Sequence, residues 1–414
     1  MYKIYLKQAI EMLKQNKFVS TISIIGTALS IMMIMVILVT YSIKNVSVSP
    51  EENRDMTLYL KYQRMEKKDK SNFRNRNIDY SIYKDYIQPE LKTPEIISII
   101  SSSKKEMKVR SANISRNLGL ESRSVDDMFW KIMSFDFIEG KPFTKDDLST
   151  NAKKVILSES SAIKLFADSK NALGKEIQVN FKPYTVSGVV KNVSPVFEYG
   201  YADLFLPYQP EDNYTMCILL LKAKHTKDFE TIRNEVRNAE RKYNSVDEEW
   251  SLTLFGPYNH KVQQLDKGGG EPDVRKADRK MIFILLVLLL IPAVNISGIS
   301  ISRIKRRTEE IGIRKTFGAK KYVILIQVLY ENFITTLIGG FIGLIFSYFI
   351  VLWLKRWLLG ITTSDAMPIQ ALVSVPVVLA VLVSCLLLNI LSAGVPAYKA
   401  SQMKIIDSLN RNNS

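Results

Sequence analysis

The stretch FVSTISIIGTALSIMMIMVILVTYSI, Phe18–Ile43, contains no charged side chain over 26 residues. A helix needs about 20 predominantly apolar residues to cross the hydrocarbon core of a bilayer. Three further charge-free runs exceed that length, Met281–Ser302 with 22 residues, Asn332–Leu354 with 23 and Ala366–Tyr398 with 33. These runs predict four transmembrane helices, at residues 18–43, 281–302, 322–354 and 369–398. The first run is far longer than the apolar core of about 7–15 residues in a signal peptide, which favours an uncleaved anchor.

The segment between the first two runs, Lys44–Lys280, carries 40 basic and 35 acidic residues and no apolar run of spanning length. It is typical of a folded domain of mixed charge, and it must lie wholly on one side of the membrane. Together with the four runs it predicts an α-helical membrane protein with four transmembrane helices and a large mixed α+β extracytoplasmic domain, residues 44–280.

The net charge of +16 indicates the orientation, because only +5 belongs to that large segment. The other +11 lies in short pieces beside the apolar runs: residues 1–17, Arg303–Lys321 and the tail 399–414. Basic residues favour the cytoplasmic side of short loops. We therefore expect both termini and Arg303–Lys321 in the cytoplasm, and the loop 355–368 outside. Residues 1–17 are expected to form an amphipathic helix at the inner surface, where the lipid is a further contact. The basic excess is not gathered on one folded face, which argues against nucleic-acid binding.

Local patterns in the large segment predict alternating strands and helices. Strand patterns cover Met56–Leu60, Pro94–Ile100, Lys154–Leu157, Glu176–Asn180, Tyr184–Val190, Thr215–Ala223 and Trp250–Phe255. Ser158 is placed to cap a helix that runs through Phe166, and Thr226 to cap a helix with Ile232 and Val236 on one face. Residues Lys61–Asn77 are expected to form a loop or a hairpin arm. The strand, helix and strand between 215 and 255 have the pattern of a βαβ unit.

Motifs for nucleotide, metal and nucleophile chemistry are absent from the sequence. No GxxxxGK[ST] loop occurs, so no ordinary phosphate cradle is predicted, and no cofactor is expected on this chain. His225 and His260 are the only histidines, and no cysteine cluster accompanies them. We expect both to be surface residues. Cys217 and Cys385 fall in different predicted environments, so no disulfide is expected. The chain is therefore not expected to be an enzyme.

The strongest motif follows the second apolar run: RTEEIGIRKTFGAKK, Arg307–Lys321. A charged helix between two membrane helices can be a mere solvated turn. Here Ile311, Ile313 and Phe317 supply apolar side chains beside the charges, and Gly318 fits the C-terminal stop of a helix. This composition indicates a compact knob that could fit a groove in a partner protein.

Four stretches of the sequence resemble the MacB/FtsX-like family of ABC transporter permeases, whose exporter form transports macrolides. The stretches are Tyr5–Ser30; Ile138–Val190 with EGKPF, VILSESSAIKLF and LGKEI; Val294–Leu344 with EIGIRKTFGA and LIGGFIGL; and Val395–Leu409 with VPAYKASQMKIIDSL. The resemblance implies a porter-like part with an inserted lobe at about 126–193. It also implies that Glu310, Gly312, Arg314, Lys315, Gly318 and Ala319 belong to a coupling helix that docks on the ATPase subunit. Glu309 departs from the family pattern, which commonly has a basic residue there.

The family's exporter form carries a fused ATPase ahead of the first span, and only 17 residues precede it here. The resemblance therefore implies a separate cytoplasmic ABC ATPase, with ATP and Mg²⁺ bound to that partner. It also implies a pair of permeases, the second being an identical copy or a paralogue that meets the Gly-rich face of the helices.

Glycine and polar residues occur inside the apolar runs. Gly339 and Gly343, with Gly340 beside them, permit close helix approach and are interpreted as packing positions. Gln327 and Glu331 match family positions, and Glu331 either marks the membrane boundary or has a structural or coupling role. Asn295 and Asn389 are interpreted as partners in hydrogen bonds between helices.

The leading hypothesis is a permease subunit that transmits ATP-driven motion to its extracytoplasmic domain. Three uses stay open: efflux of a peptide or drug with a periplasmic adaptor, extraction of lipoproteins, or activation of an envelope hydrolase. The rivals are a membrane sensor or scaffold that needs no ATP, and a membrane-anchored enzyme, for which the sequence offers no catalytic constellation.

Overall fold

The computed structural model describes residues 17–45, 47–112, 116–210, 215–268, 270–306, 308–359 and 375–402. Within these residues the chain forms two compact units. A helical unit comprises residues 17–44, 275–359 and 375–402, and a sheet unit comprises residues 45–274. The expected amphipathic helix at 1–16 and the tail beyond 402 lie outside the described residues.

In the part of the chain that the structure describes, the helical unit consists of long α-helices and two short ones, and the sheet unit combines β-strands with mostly short α-helices. The helices are α1 Lys17–Asn45, α2 Tyr80–Ile82, α3 Gln88–Glu90, α4 Phe129–Ile132, α5 Lys145–Ser149, α6 Glu159–Phe166, α7 Phe229–Val246, α8 His260–Gln263, α9 Val274–Arg306, α10 Thr308–Thr316, α11 Lys321–Trp353, α12 Lys355–Leu359 and α13 Val375–Gln402. The strands are β1 Thr57–Leu60, β2 Tyr62–Lys67, β3 Phe73–Asp79, β4 Ile96–Ser101, β5 Lys105–Ser111, β6 Leu118–Val125, β7 Phe137–Gly140, β8 Lys154–Ser158, β9 Glu176–Val179, β10 Lys182–Val190, β11 Leu204–Pro207, β12 Met216–Lys222, β13 Trp250–Phe255 and β14 Tyr258–Asn259.

Three helices among the described residues are long and apolar enough to cross a membrane. They are Ser20–Asn45, Lys321–Trp353 and Leu379–Lys399, within α1, α11 and α13. The predicted second span, 281–302, lies inside the 33-residue helix α9. A count of four spans therefore stays a prediction. Two boundaries differ from the predicted ones: α13 continues to Gln402 where a tail was expected, and Lys355–Leu359 is a short helix rather than loop.

One half of the sheet unit is built around β1. This strand pairs antiparallel with β12 on one side and with β14 on the other, so β12 and β14 run in the same direction. Helix α7 follows β12 along the chain, leads into β13, and buries Ile232, Val236, Ala239 and Tyr243 on the face that the sequence predicted. The strand, helix and strand predicted between 215 and 255 are thus present as β12, α7 and β13, and β13 pairs antiparallel with β2. Thr226 is not the cap of α7, because Thr226–Asp228 forms a separate 3₁₀ turn and α7 begins at Phe229.

The two strands that follow β1 along the chain, β2 and β3, form a hairpin. β2 and β3 pair antiparallel, and Lys67 and Asn72 close the turn through a backbone hydrogen bond of 2.9 Å. β13 pairs with the other side of β2. The basic segment 61–77 is therefore a hairpin arm, one of the two forms that the sequence predicted.

The other half of the sheet unit is a closed six-stranded barrel. Its strands pair in the order β11–β8–β10–β9–β5–β6, and β6 pairs with β11 to close the ring. Two contacts are parallel, β8 with β10 and β6 with β11, and the others are antiparallel. The apolar core uses Val109 and Leu120 from β5 and β6 and Leu204 from β11. The lobe thus extends beyond the predicted 126–193 in both directions.

Helix α6 covers one end of the barrel. Ser158 has extended backbone and its hydroxyl accepts a hydrogen bond from the Ser161 amide, so the predicted N-cap is confirmed. Ala162 and Leu165 point into the barrel core, and the Ser111 hydroxyl at the end of β5 donates to the Leu165 carbonyl at 2.7 Å.

The two histidines have different environments. His225 is exposed, as predicted. His260 is buried, its ring 5.9 Å from that of Tyr59 and its Nε2 2.9 Å from Gln264 Nε2, so the prediction of a surface residue was wrong. It opens α8, where the Asn259 side chain caps the helix by accepting a hydrogen bond from the Val262 amide. Both cysteines are free and buried.

Candidate functional site

The segment singled out by the sequence is helix α10 and the turn behind it. Gly318 adopts φ +87°, the left-handed conformation that favours glycine. The Ala319 amide donates to the Arg314 carbonyl and the Gly318 amide to the Lys315 carbonyl, both at 3.0 Å. These two bonds form the Schellman arrangement that ends a helix. The predicted helix stop is therefore confirmed, and α11 starts three residues later at Lys321.

The inner face of α10 is held by an apolar cluster. Ile311 packs in a group with Ile304 of α9, Ile324 and Val328 of α11, and Ala397 of α13. Ile311 is buried, so it is not available to a partner, contrary to its predicted use as a docking anchor. The cluster attaches the short helix to three longer helices of the same unit.

A chain of polar side chains reinforces this attachment. The Arg314 guanidinium donates to Glu310 Oε1 at 2.6 Å and to Gln327 Oε1 at 2.7 Å. Gln327 Nε2 donates to Glu331 Oε1 at 3.0 Å. Because a guanidinium is planar and carries several donors in fixed directions, it can join two acceptors on different helices. Four predicted site residues are thus brought together, and Glu331 has a structural partner on its own helix.

Glu331 lies beside a small cavity of about 30 Å³, lined by the polar chain and by Ser300 and Asn332. The Ser300 hydroxyl donates to Asn332 Oδ1 at 3.1 Å, which joins α9 to α11. Sequence reasoning missed both residues. The signal was available, because Gln327, Glu331 and Thr335 recur every four residues and mark a polar stripe that needs partners inside an apolar helix.

The Lys315 side chain, next to Arg314, contacts the last described helix, α13. Lys315 Nζ donates to the Ser401 carbonyl at 2.9 Å, near the C-terminal end of α13. Lys321 Nζ donates to Gln402 Oε1 at 2.9 Å. Burial lowers the pKa of Lys315, and the neighbouring Lys321 charge adds to that effect. Cations at a helix C-terminus interact favourably with its unpaired carbonyls, so these contacts stabilise the junction between α10 and α13.

The outer face of α10 has a different character. Ile313 is 50% exposed and Phe317 is 88% exposed, one helical turn apart. Gly312 is buried and Ala319 half-buried. An exposed aromatic and aliphatic pair on a firmly held helix is a surface to which a partner can bind.

The glycines of α11 pack within the chain. A Cβ on Gly343 would lie 2.5 Å from the Ala28 carbonyl oxygen, and one on Gly339 would lie 2.7 Å from Thr27 Cβ, both on α1. A Cβ on Gly340 would lie 2.3 Å from Cys385 Sγ on α13. The expectation that this Gly-rich face meets a second copy was wrong, because α1 and α13 occupy it.

Asn389 of α13 donates through Nδ2 to the Leu329 carbonyl of α11 at 3.2 Å, which confirms the predicted hydrogen bond between helices. The side chain of Asn295 lies outside the described set. Among the residues that the structure describes, no group of three or more His, Cys, Asp or Glu side chains could hold a metal ion.

Long apolar helices, a large sheet unit and a short helix anchored between two of the long helices are the parts of a membrane protein with a large mixed α/β domain. The chain belongs to the MacB/FtsX family of ABC transporter permeases. Residues 20–239 match the model of the MacB-like periplasmic core domain, and residues 282–405 match that of the FtsX-like permease C-terminal domain. The family resemblance seen in the motifs is thereby confirmed.

Individual relatives are distant. The macrolide export ATP-binding/permease protein MacB of Hahella chejuensis is 24% identical over 326 residues, which is 77% of this chain and 47% of that protein. The uncharacterized ABC transporter permease YknZ of Bacillus subtilis is 23% identical over 328 residues, 76% of this chain and 75% of that one. The chain thus spans about half the length of the MacB relative.

Solved extracytoplasmic domains are also similar. The extracellular domain of YknZ from Gram-positive bacteria covers 48% of this chain at 16% identity, with a TM-score of 0.34 and 99% of that domain aligned. The periplasmic region of MacB from Actinobacillus actinomycetemcomitans covers 51% of this chain at 14% identity, with a TM-score of 0.34 and 94% of that region aligned.

Proposed function

We propose that this permease transmits ATP-driven motion from a separate cytoplasmic ABC ATPase to its extracytoplasmic sheet unit, for export or extraction of a substrate. One observation carries the proposal: α10 is fixed on its inner face to α9, α11 and α13, while Ile313 and Phe317 stay exposed on its outer face. A helix bound rigidly on one side and open on the other can transfer a displacement of its partner to the long helices.

The long helices suit this role by their length and their connections along the chain. α1 has 29 residues and ends at Asn45, where the sheet unit begins, and α9 has 33 residues and begins at Val274, where the sheet unit ends. At 1.5 Å per residue they extend about 44 and 50 Å. In this proposal the protein lies in the bacterial inner membrane with both termini in the cytoplasm, and works as a pair with a second copy or a paralogue.

The test separates docking from transmission. The full chain is affinity-purified from its native cells in mild detergent, and co-purifying ATPase is identified by mass spectrometry and by ATP hydrolysis. Ile313→Ala with Phe317→Ala should reduce ATPase recovery about tenfold, because exposed anchors of this type dominate interface energy. The matched control is Ile345→Ala with Phe349→Ala, an exposed pair of the same types and spacing on α11.

Arg314→Lys keeps the charge but loses the two-pronged geometry. It should leave the ATPase bound and reduce permease-stimulated ATP hydrolysis. Function without any bound ATPase would instead favour the sensor or scaffold, and equal recovery in both alanine pairs would reject docking through α10.

A further inference from the structure

The barrel of the sheet unit is closed at one end and open at the other. α6 fills the closed end. At the open end, β5, β8 and β10 begin and β6, β9 and β11 finish, so all six strands contribute residues to one rim. The open end holds a cavity of about 680 Å³. Small-molecule pockets measure about 300–1,000 Å³ and occur in the mouths of β-barrels.

The floor of this cavity is apolar. Met107, Val179 and Leu206, from three different strands, line it, and they continue the apolar core of the barrel. Tyr184 adds a half-buried ring. A ligand with an apolar group would therefore find a desolvating surface at the bottom of the mouth.

The wall above the floor is polar. It includes the hydroxyls of Ser122 and Ser124. Ser122 already donates to the Lys105 carbonyl at 2.8 Å, and the Ser101 hydroxyl accepts from the Ser124 amide at 3.2 Å. Because these bonds fix the wall, the mouth is largely pre-formed, which reduces the cost of ordering on binding.

Three basic side chains lie at the rim. Lys105, Lys153 and Lys182 line the mouth and are exposed. Lys153 donates to Asn151 Oδ1 at 3.1 Å, and its ammonium lies 5.7 Å from the centre of the Tyr184 ring. Three lysines around an enclosed mouth raise the local concentration of anions.

From this geometry we propose that the open end of the barrel is a binding site for a small anionic molecule that carries an apolar group. The apolar part enters the mouth above Met107, Val179 and Leu206, and the anionic part stays at the rim near the three lysines. This site is separate from α10, and its occupancy does not depend on an ATPase.

The test uses dansylglycine, which joins a carboxylate to an apolar fluorophore. The full chain in nanodiscs of zwitterionic phosphatidylcholine is titrated against this probe by fluorescence anisotropy, with empty nanodiscs subtracted. The neutral dansylamide is the matched probe. Saturable binding of dansylglycine is expected. Lys105→Gln, Lys153→Gln and Lys182→Gln together should raise its Kd about tenfold, because hydrogen bonds between ionised partners are about twice as strong as neutral ones, and should leave dansylamide unaffected.

Two further variants locate the site. Ala152→Trp places an indole at the mouth and should abolish binding of both probes. The control triple, Lys141→Gln, Lys164→Gln and Lys170→Gln, removes the same charge from exposed positions that do not line the cavity, and should leave both Kd values within about twofold, since distant surface charges are screened. Absence of saturable binding, or equal weakening by both lysine triples, would overturn the proposal. Because those lysines are exposed, this comparison stands even if the Ala152→Trp chain fails to fold.

Discussion

Asp126 is a buried carboxylate that joins two elements of the sheet unit. Its Oδ1 accepts from the Ser98 hydroxyl at 2.7 Å and from the Phe129 amide at 2.9 Å, and its Oδ2 accepts from the Ile99 amide at 2.8 Å. It therefore fixes the start of α4 against β4. Burial raises the pKa of Asp126 to about 6, although these hydrogen bonds favour the charged form.

This pKa makes a pH dependence testable with Asp126→Asn. An unfolded Asp has a pKa of about 3.9, so between about pH 4 and 6 the folded protein binds more protons than the unfolded chain. The contribution of Asp126 to stability is thus fully present below pH 4 and is lost as the pH rises through 6. Relative to Asp126→Asn, the wild type should gain about 2–3 kcal/mol of unfolding free energy between pH 7 and pH 4. Denaturant unfolding of the full chain in detergent measures this difference, with Asp127→Asn as the control. Parallel pH curves for wild type and Asp126→Asn would contradict it.

At the scale of elements, the sequence predicted the Ser158 cap, the buried face of α7 and the Gly318 helix stop. Each of these features depends on a few neighbouring residues. Closure of the barrel depends instead on pairing between β6 and β11, which are distant in the sequence, and no local pattern encodes that contact. His260 was misjudged for the same reason, since its burial follows from the position of Tyr59 far away along the chain.

The sequence of helix α10 is compatible with two orientations of the helix against the bundle. Ile311 with Lys315, and Ile313 with Phe317, form two stripes at a spacing of four residues, and either stripe could face the bundle. The structure selects the first through Ile304, Ile324 and Val328, which lie on neighbouring helices. The register of α10 is therefore a tertiary property, and so is the choice of which apolar side chains remain for a partner.

The contact between α1 and α11 is predicted to depend on Gly343. In Gly343→Ala the new methyl group would meet the Ala28 backbone carbonyl at 2.5 Å, which neither helix can relieve by a side-chain rotation. Overpacking of this kind costs about 1–3 kcal/mol. Gly26→Ala is the matched control, because a Cβ there meets nothing within 4 Å. Thermal unfolding of the full chain in detergent should show a lower Tm for Gly343→Ala only, and a Tm equal to that of Gly26→Ala would refute the packing role.

At the scale of the whole molecule, the proposed orientation can be tested by single-cysteine labelling. Cys217 and Cys385 are buried, so the background of labelling is low. Lys267→Cys, in the sheet unit before α9, should react with a membrane-impermeant maleimide in intact cells. Lys320→Cys, in the turn between α10 and α11, should react only after permeabilisation. Both side chains are exposed in the structure. Labelling of position 320 in intact cells would reverse the assignment.

The whole molecule is expected to work as a lever rather than as a channel. Glu331, Asn332 and Asn389, within the apolar helices, each take part in a hydrogen bond inside the helical unit, and the cavity beside Glu331 measures about 30 Å³. A hydrophilic path across the bilayer would need polar groups that line a continuous aqueous cavity.

A lever requires the sheet units of a pair to change their separation with the nucleotide state of the ATPase, because a ligand shifts only an equilibrium whose two states it binds differently. Spin labels at Asn238→Cys on α7 and at Lys164→Cys on α6, both exposed helical positions, report on the two halves of the sheet unit. Distances between the copies, measured by electron–electron double resonance on the reconstituted complex, should differ between the nucleotide-free and the ATP-trapped states for both labels. Arg314→Lys should reduce that change while ATP still binds, because it weakens the connection from α10 to α11. Identical distance distributions in the two states, together with ATP-driven passage of a polar substrate from the cytoplasmic side, would establish a channel and exclude the lever.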